Sequence, residues 1–378
     1  AQCLVGSEMC IRDRLKKENC MKKTLVALAL ACSSGVLSAA DFTVYGVADV
    51  GLRFTHQSET GKKDADQLQM MSGQNAGSRF GFKGTETLGN GWSVGFQLEN
   101  QYDVDTGELR KGLLFHRQST VHVSSPYGTL MFGRVGTLSS AAGTYDVVFG
   151  IGDPVDGGDG AVPGVLSYES RRDNTVIYAT PQLAGFRGYL EYSFGQKIED
   201  ARENQNERYI GLGVRYSNGP LDSALTYEHV RYADNPSTDE TQNYDDKTVV
   251  SFAGSYDMQV TKLQMIAQWM EGADNLGNDW TGKGFDGWAV QLGNTTPLAG
   301  GLFYVMAGYA DGDYLVGQGK QFDLSAWSLG IRYWYPFSKK TALYTGIGYQ
   351  ELQREYTATK PDFESKVYQL YLGLTHKF

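Results

Sequence analysis

Cysteine is nearly missing from the 378-residue chain: there are four, Cys3, Cys10, Cys20 and Cys32, and all lie before position 33. From Asp41 onward no disulfide can staple the fold and no thiolate can hold a structural zinc. Proline is scarce, at nine residues. No run reaches the ~18 apolar residues of a membrane helix, which excludes a helical membrane protein but not a membrane β-barrel, whose strands are short and only half apolar. Basic charge falls short of acidic, 34 Lys+Arg against 43 Asp+Glu for a net charge of -9, which argues against nucleic acid as a partner. Catalytic signatures are missing too. His56, His116, His122, His229 and His376 form no HExxH, no GxSxG elbow occurs, and Gly211-Leu-Gly213 and Gly346-Ile-Gly348 lack the third glycine of a dinucleotide loop. Asp153-Pro-Val-Asp156-Gly-Gly-Asp159 has the wrong spacing for a calcium loop. No metal and no cofactor is expected.

Glycine (47) and tyrosine (24) are abundant instead. Met21 opens a stretch of different character: Lys22 and Lys23, an apolar run from Leu25 to Ala31, then small residues ending Ser38-Ala39-Ala40. This reads as a secretory signal peptide over 21–40, cleaved before Asp41. Ala29 stands where a lipoprotein signal anchored at Cys32 needs a bulky aliphatic residue. Residues 1–20 match no folding pattern and read as a non-native upstream segment. Removing 1–40, with its six Lys/Arg and three Asp/Glu, takes the net charge from -9 to -12.

From Phe42 to the end the dominant period is two. Trp92, Val94, Phe96 and Leu98 alternate with Ser93, Gly95, Gln97 and Glu99, and Trp327, Leu329, Ile331 and Tyr333 with Ser328, Gly330, Arg332 and Trp334. Segments of this kind are strands with one apolar and one polar face. Sixteen are expected: 42–55, 78–87, 91–102, 113–124, 128–135, 174–180, 186–194, 208–218, 221–230, 247–256, 261–271, 285–296, 301–312, 325–335, 341–353 and 366–378. Their connections alternate between short turns, such as Asn218-Gly219-Pro220, and long acidic stretches, of which 136–173 is the longest. A soluble sandwich has long loops at both ends; a membrane barrel has them at one end and turns its apolar faces to lipid. The one-sided loops, a mean hydropathy of -0.37, and aromatics near strand ends (Phe42, Trp92, Phe186, Trp288, Phe378) favour the barrel.

These residues resemble a general diffusion porin of the Gram-negative outer membrane, of the type common in beta-proteobacteria. The resemblance rests on DFTVYGVADVGL, SRFGFKGTETLGNGWSVGFQLE, HRQSTVHVSSPYGTLMFGR, RRDNTVIYATPQLAGF and the ending VYQLYLGLTHKF, and covers 41–378. It implies an all-β, 16-stranded antiparallel transmembrane barrel, assembly as a homotrimer, and a long third loop, 136–166, folded into the lumen. It also implies passive diffusion of small hydrophilic solutes and ions. The expected surroundings are outer-membrane lipid and lipopolysaccharide, with barrel-assembly machinery reading the last strand through Tyr368, Leu370, Leu372, Leu374 and Phe378. A barrel enzyme of lipase or protease type, or an adhesin or receptor barrel, is the alternative.

The third loop carries Asp146, Asp153, Asp156 and Asp159 with no Lys or Arg between 136 and 166. The family sets such acids against a ladder of wall arginines, and Arg79 and Arg134 match ladder positions, with Arg53 added as a basic wall residue. Arg134 shares parity with the outward Leu130 and Phe132, so it reaches the lumen only if Gly133 bends the strand. Val155 stands where the family has an acid. Inward parity further assigns Asp49, Lys83, Glu99, Arg187, Glu191, Arg215, Asp222, Glu228 and Arg332 to the lumen. Opposed charges across a narrow aqueous path favour polar over apolar solutes. The acid-rich loop leads to an expected weak preference for cations.

Overall fold

Strands with one apolar face cannot stand alone in a membrane, because every unpaired N–H and C=O along an edge costs several kcal/mol. The computed structural model, which describes residues 41–141, 143–155, 164–195, 206–232, 246–276, 284–316, 319–356 and 361–378, meets that requirement by closure. Among the described residues the chain forms β1 (Asp41–Glu59), β2 (Ala65–Ser72), β3 (Arg79–Gly89), β4 (Trp92–Glu99), β5 (Gln118–Ser125), β6 (Gly128–Gly136), β7 (Arg171–Ala179), β8 (Phe186–Ser193) and β9 (Arg208–Asn218). It continues through β10 (Leu221–Arg231), β11 (Lys247–Asp257), β12 (Lys262–Ala273), β13 (Phe285–Leu298), β14 (Gly301–Val316), β15 (Gly319–Pro336), β16 (Thr341–Tyr356) and β17 (Phe363–Lys377). Neighbours in sequence pair antiparallel, and β17 returns to pair with β1 from Val47↔Lys377 to Glu59↔Ser365. Gly46 and Phe378 exchange both backbone hydrogen bonds, at 3.1 and 3.0 Å, and finish the seam.

The wall has sixteen strands, because β2 and β3 are two halves of one. Both lie along β1, β3 on its first half (Asp41↔Thr85 to Val47↔Arg79) and β2 on its second (Val50↔Ser72 to Gln57↔Ala65). Residues 65–72 fall inside a stretch expected to be loop, so the first hairpin is longer and its loop shorter than the alternation implies. The break between the halves is organised by Asp49, which is fully buried. Its carbonyl accepts from Gly73 N (2.9 Å) and Ser78 Oγ (3.0 Å). Its carboxylate accepts from Asn75 N (3.3 Å), Tyr344 Oη (2.7 Å) and the Thr375 hydroxyl. One side chain thus ties the interrupted strand to the last two strands.

Two further boundaries differ from expectation. Strand β5 begins at Gln118 rather than 113, with a 3-10 turn at Arg110–Gly112 before it. The stretch 313–324 is mostly strand: Asp313 pairs with Asp323, and the Tyr314 and Phe322 rings stack 4.6 Å apart. Its polar sequence looks like loop, but above a lipid-facing belt cross-strand pairing alone can extend a ladder.

Outward parity is apolar and exposed. Tyr368, Leu370, Leu372, Leu374 and Phe378 are all exposed, as are Leu190, Leu212, Leu225, Trp269 and Trp327. The opposite face is buried and carries Ala, Gly, Ser, Gln and charged residues. The largest buried apolar cluster joins Leu138, Val147, Val148, Phe149, Ile151, Val165 and Leu166 to Ala224, Ala253, Ile266, Ala289, Ala310 and Ala326 of that face. A single helical turn, α1 (Phe149–Gly152), belongs to this cluster.

Replacing Asp49 by Ala strands the Tyr344 and Thr375 hydroxyls and the Asn75 N–H in a buried place, at about 1–3 kcal/mol per group. The refolded barrel should then unfold at clearly lower urea concentration, with a deficit of roughly 3 kcal/mol or more. An unchanged midpoint contradicts the role given to this residue.

Candidate pore constriction

Arg79 opens β3 on the buried face because Phe80 and Phe82 point outward, and the same pleat turns Glu99 inward at the end of β4. Glu99 Oε1 accepts from Arg117 Nε at 2.6 Å, and Oε2 accepts from Tyr45 Oη at 2.8 Å and lies 3.9 Å from Arg79 Nε. Gln97 Nε2 donates to Tyr45 Oη at 2.8 Å, and Arg79 Nη1 donates to the Gly77 carbonyl at 3.2 Å. Across from this wall stand Ala141 and residues 143–150. Asp146 Oδ1 accepts from the N–H groups of Val148 (3.3 Å) and Phe149 (3.1 Å), and Oδ2 from Gly150 N–H (3.1 Å). Asp146 therefore shapes the turn into α1 as well as carrying charge. Gln118 and Thr144 are hydrogen-bonded at 2.9 Å and bridge wall to segment. Between the two sides lies a polar cavity of about 490 Å³, lined by Arg79, Glu99, Arg117, Gln118, Thr144 and Asp146 among others.

The apolar side of the segment is fitted closely to the wall. A Cβ added to Gly293 of β13 would come within 2.5 Å of the Pro154 ring, so only glycine allows the two to approach as they do. Where the segment rejoins the wall, a buried ionic knot fastens it. Glu169 receives Arg172 Nη2 at 2.5 Å and Lys247 Nζ at 2.8 Å, Lys247 also reaches Asp274 at 2.6 Å, and Arg172 reaches Glu207 at 2.9 Å. Burial alone would raise the Glu169 carboxyl, but Lys247 and then Arg172 outweigh it and hold the group down to about 2. A depressed carboxylate contributes stability above its ordinary range and loses it as pH falls toward about 2, so the knot stays ionised at neutral and mildly acidic pH.

Of the residues singled out in the sequence, Arg79, Glu99 and Asp146 meet at the cavity. Arg134 does not join them. Gly133 does break the strand, at φ +127° with a register shift after it, but Arg134 is drawn to Asp173 Oδ1 (2.6 Å) and the His116 carbonyl (2.8 Å). Arg53 is half-buried in β1, with Nη2 3.6 Å from Met71 Sδ. Asp153 is buried, and its Oδ1 accepts from Val155 N–H at 2.9 Å. Asp156 and Asp159 lie outside the described residues, as do residues 1–40. Lys83 lies over the Tyr45 ring, 5.4 Å from its centre, Arg187 over Tyr145 (5.5 Å) and Tyr189 (5.7 Å), and Arg332 over Tyr304 (4.7 Å). Arg215 Nε donates to Asp222 at 2.8 Å; Glu191 and Glu228 are buried, Glu228 accepting from Tyr209 Oη at 2.6 Å. Arg117, Gln118 and the Glu169 knot were not anticipated. Arg117 sits one residue before β5, where alternation no longer says which way a side chain turns.

Comparison with known proteins follows the same line. A family model described as Gram-negative porin matches residues 24–354. An outer membrane porin protein of Bordetella pertussis is 31% identical over 371 residues, covering 86% of this chain and 93% of that protein. Outer membrane porin protein 32 of Delftia acidovorans is 31% identical over 340 residues, covering 87% and 89%. Among solved structures, an anion-selective porin from Comamonas acidovorans shares the fold at a TM-score of 0.65 and 24% identity, covering 90% of this chain and all of that one. The trimer form of OmpT from Vibrio cholerae does so at 0.60 and 18%, with the same coverage. A closed sixteen-stranded wall, a lipid-facing apolar belt and relatives of this kind lead to one assignment: the chain belongs to the Gram-negative porin family.

Proposed function

We propose that segment 136–166 folds into the lumen of this outer-membrane diffusion channel and narrows it to the gap between Asp146 and the pair Arg79 and Arg117. Small hydrophilic solutes and ions cross through that gap down their gradients. The observation that carries the reading is the 490 Å³ polar cavity between wall and segment, set against the apolar packing on the segment's other side. A solute in the gap meets both signs of charge across a short distance flanked by low-dielectric protein, which aligns polar molecules and taxes apolar ones. The process needs no nucleophile, metal or cofactor, and we read the protein as a channel rather than an enzyme. We also propose a homotrimer as the working assembly, residues 21–40 as the export signal, and the last strand as the segment read during insertion.

The two signs balance in the gap, so the proposed ion preference is weak and adjustable. In planar bilayers the protein should open in steps of three. Arg79→Gln should raise the cation-to-anion permeability ratio about twofold and Asp146→Asn lower it by a similar factor, read from the zero-current potential in a KCl gradient. If neither substitution moves that potential, the cavity is not the constriction.

The knot makes a separate prediction. Lys247→Met leaves Glu169 and Asp274 without their shared cation and should cost about 3 kcal/mol in denaturant unfolding, with noisier open-channel current. Adding Glu169→Gln to it should recover part of the loss. A strictly additive double variant would show that the pair does not act as a unit.

Deleting Phe378 removes the Gly46 closure and should sharply reduce folded protein in the membrane. Normal heat-modifiable migration on cold SDS gels after that deletion would count against the assembly role.

A further inference from the structure

Inward charges of β8 and β9 meet at the short-turn end of the wall, away from the gap. Arg187 and Arg215 are direct cross-strand partners, and both turn inward because Phe186, Leu190 and Val214 take the exposed parity. Asp222 takes Arg215 through two hydrogen bonds, Nε at 2.8 Å being one. Two positive charges less one negative leave a single surplus charge, on Arg187. Glu191 and Glu228, the other acids on the inward face of these strands, both register with Gly211, about 13 Å up the wall from Arg215. Connections 196–205 and 233–245 leave the opposite ends of the strands. The residues flanking 156–163 are held across the barrel, Val155 by Met306, Tyr344 and Tyr371, and Gly164 by Gln350.

Arg187 is fixed in a way that leaves its outer edge open. Nε donates to the Thr180 carbonyl at 3.0 Å, and the guanidinium lies 5.5 Å from the Tyr145 ring centre and 5.7 Å from that of Tyr189. The two rings are 5.6 Å apart, inclined at 53°. Each is anchored by its own hydroxyl, Tyr189 to Arg215 and Tyr145 to Thr129. Among the described residues Arg187 forms no ion pair, and its Nη groups have no acceptor. Tyr145 is also the chain neighbour of Asp146. Adjacent residues of the segment thus serve two places: Asp146 the gap, and Tyr145 the wall near the turns.

We propose that Arg187, backed by Tyr145 and Tyr189, is a docking point for flat organic monocarboxylates, of the benzoate class, on the periplasmic side of the gap. The proposal rests on the channel reading, which puts these side chains in water, and adds a second site beyond the constriction. The short-turn rim is the periplasmic one in an outer-membrane barrel. A guanidinium takes a carboxylate edge-on, through two parallel hydrogen bonds in its own plane. An aromatic acid keeps its ring in the plane of its carboxylate, so the ligand extends the flat layer that the guanidinium already forms against the tyrosine rings. One surplus charge matches one carboxylate. Inorganic phosphate brings more charge and no flat body.

Saturation-transfer NMR of the full-length barrel in non-ionic detergent, titrated with benzoate and referenced to empty micelles, tests this. Wild type should give a saturable signal, and Arg187→Gln should bind about tenfold more weakly, the size of one charge-assisted two-point contact. Arg187→Lys keeps the charge but loses the planar fork, and should also bind several-fold more weakly. Heat-modifiable migration checks that both variants fold. Cyclohexanecarboxylate, of equal charge but without a flat ring, should bind wild type about fivefold more weakly than benzoate. Full binding by Arg187→Lys overturns the site, since a bare field would then suffice, and equal binding of the two acids overturns the ligand class. Displacement of benzoate by an equal concentration of inorganic phosphate does the same. Loss of the signal in Arg79→Gln but not in Arg187→Gln would put the ligand in the gap and overturn the site. Wild-type channel openings without any benzoate signal strike this inference and leave the channel reading standing.

Discussion

Everything in this wall depends on its two ends meeting. A sheet in hydrocarbon has nowhere to hide an edge, and the barrel removes its edge only where β1 lies against β17. The exchange between Gly46 and Phe378 completes that ladder at the turn side. Asp49 secures it from within, because the carboxylate that receives Tyr344 and Thr375 also belongs to the residue that organises the break between β2 and β3. Closure and interruption are thus handled by one buried group. Without cysteine after position 32, hydrogen bonds and burial have to do what a disulfide does in smaller exported proteins.

With closure secured, the interior divides into regions of different chemistry. Strands β3 to β5 present Arg79, Glu99 and Arg117, held in one network with Tyr45 and Gln97. Strands β10 to β15 present Ala224, Ala253, Ala289, Ala310 and Ala326, small side chains against which Leu138, Val147, Val148, Phe149, Ile151, Val165 and Leu166 pack. The ionic knot at Glu169, Lys247 and Arg172 lies at the exit of that segment, where a slack chain would otherwise let the packed face slide.

How far the sequence could be read follows from what controls each feature. Period-two alternation is imposed by lipid on one face, so it marks the strands wherever lipid is the neighbour; that is why Leu370, Leu372 and Leu374 could be placed outward without coordinates. Where the alternation is short or the residues are polar the rule gives little, and Ala65–Ser72, whose Leu68 and Met70 are exposed opposite Phe54 and Leu52, and 313–316 with 319–324 look like loop. Arg79, Glu99 and Asp146 were readable as charges at inward parity or on the long loop. Arg117 was not, since the expected strand 113–124 put it at the parity of the outward Val121, whereas the strand begins one residue later at Gln118. Arg134 hinged on Gly133, and the bend that glycine makes delivers the side chain to Asp173 instead. The alanine face was visible in the sequence but had no meaning until the segment packing against it was known.

That alanine face has a consequence for how such a channel can change over time. If the segment rests on one side of the barrel, the water column is off-axis and hugs the first third of the chain. Solute preference is then written in a few positions of β3 to β5 and in 143–150, while the alanine face of β10 to β15 serves as a backing plate. Substitutions there act on fit and stability, and those near the gap act on transport. A lineage could therefore retune what passes through without renegotiating how the wall folds.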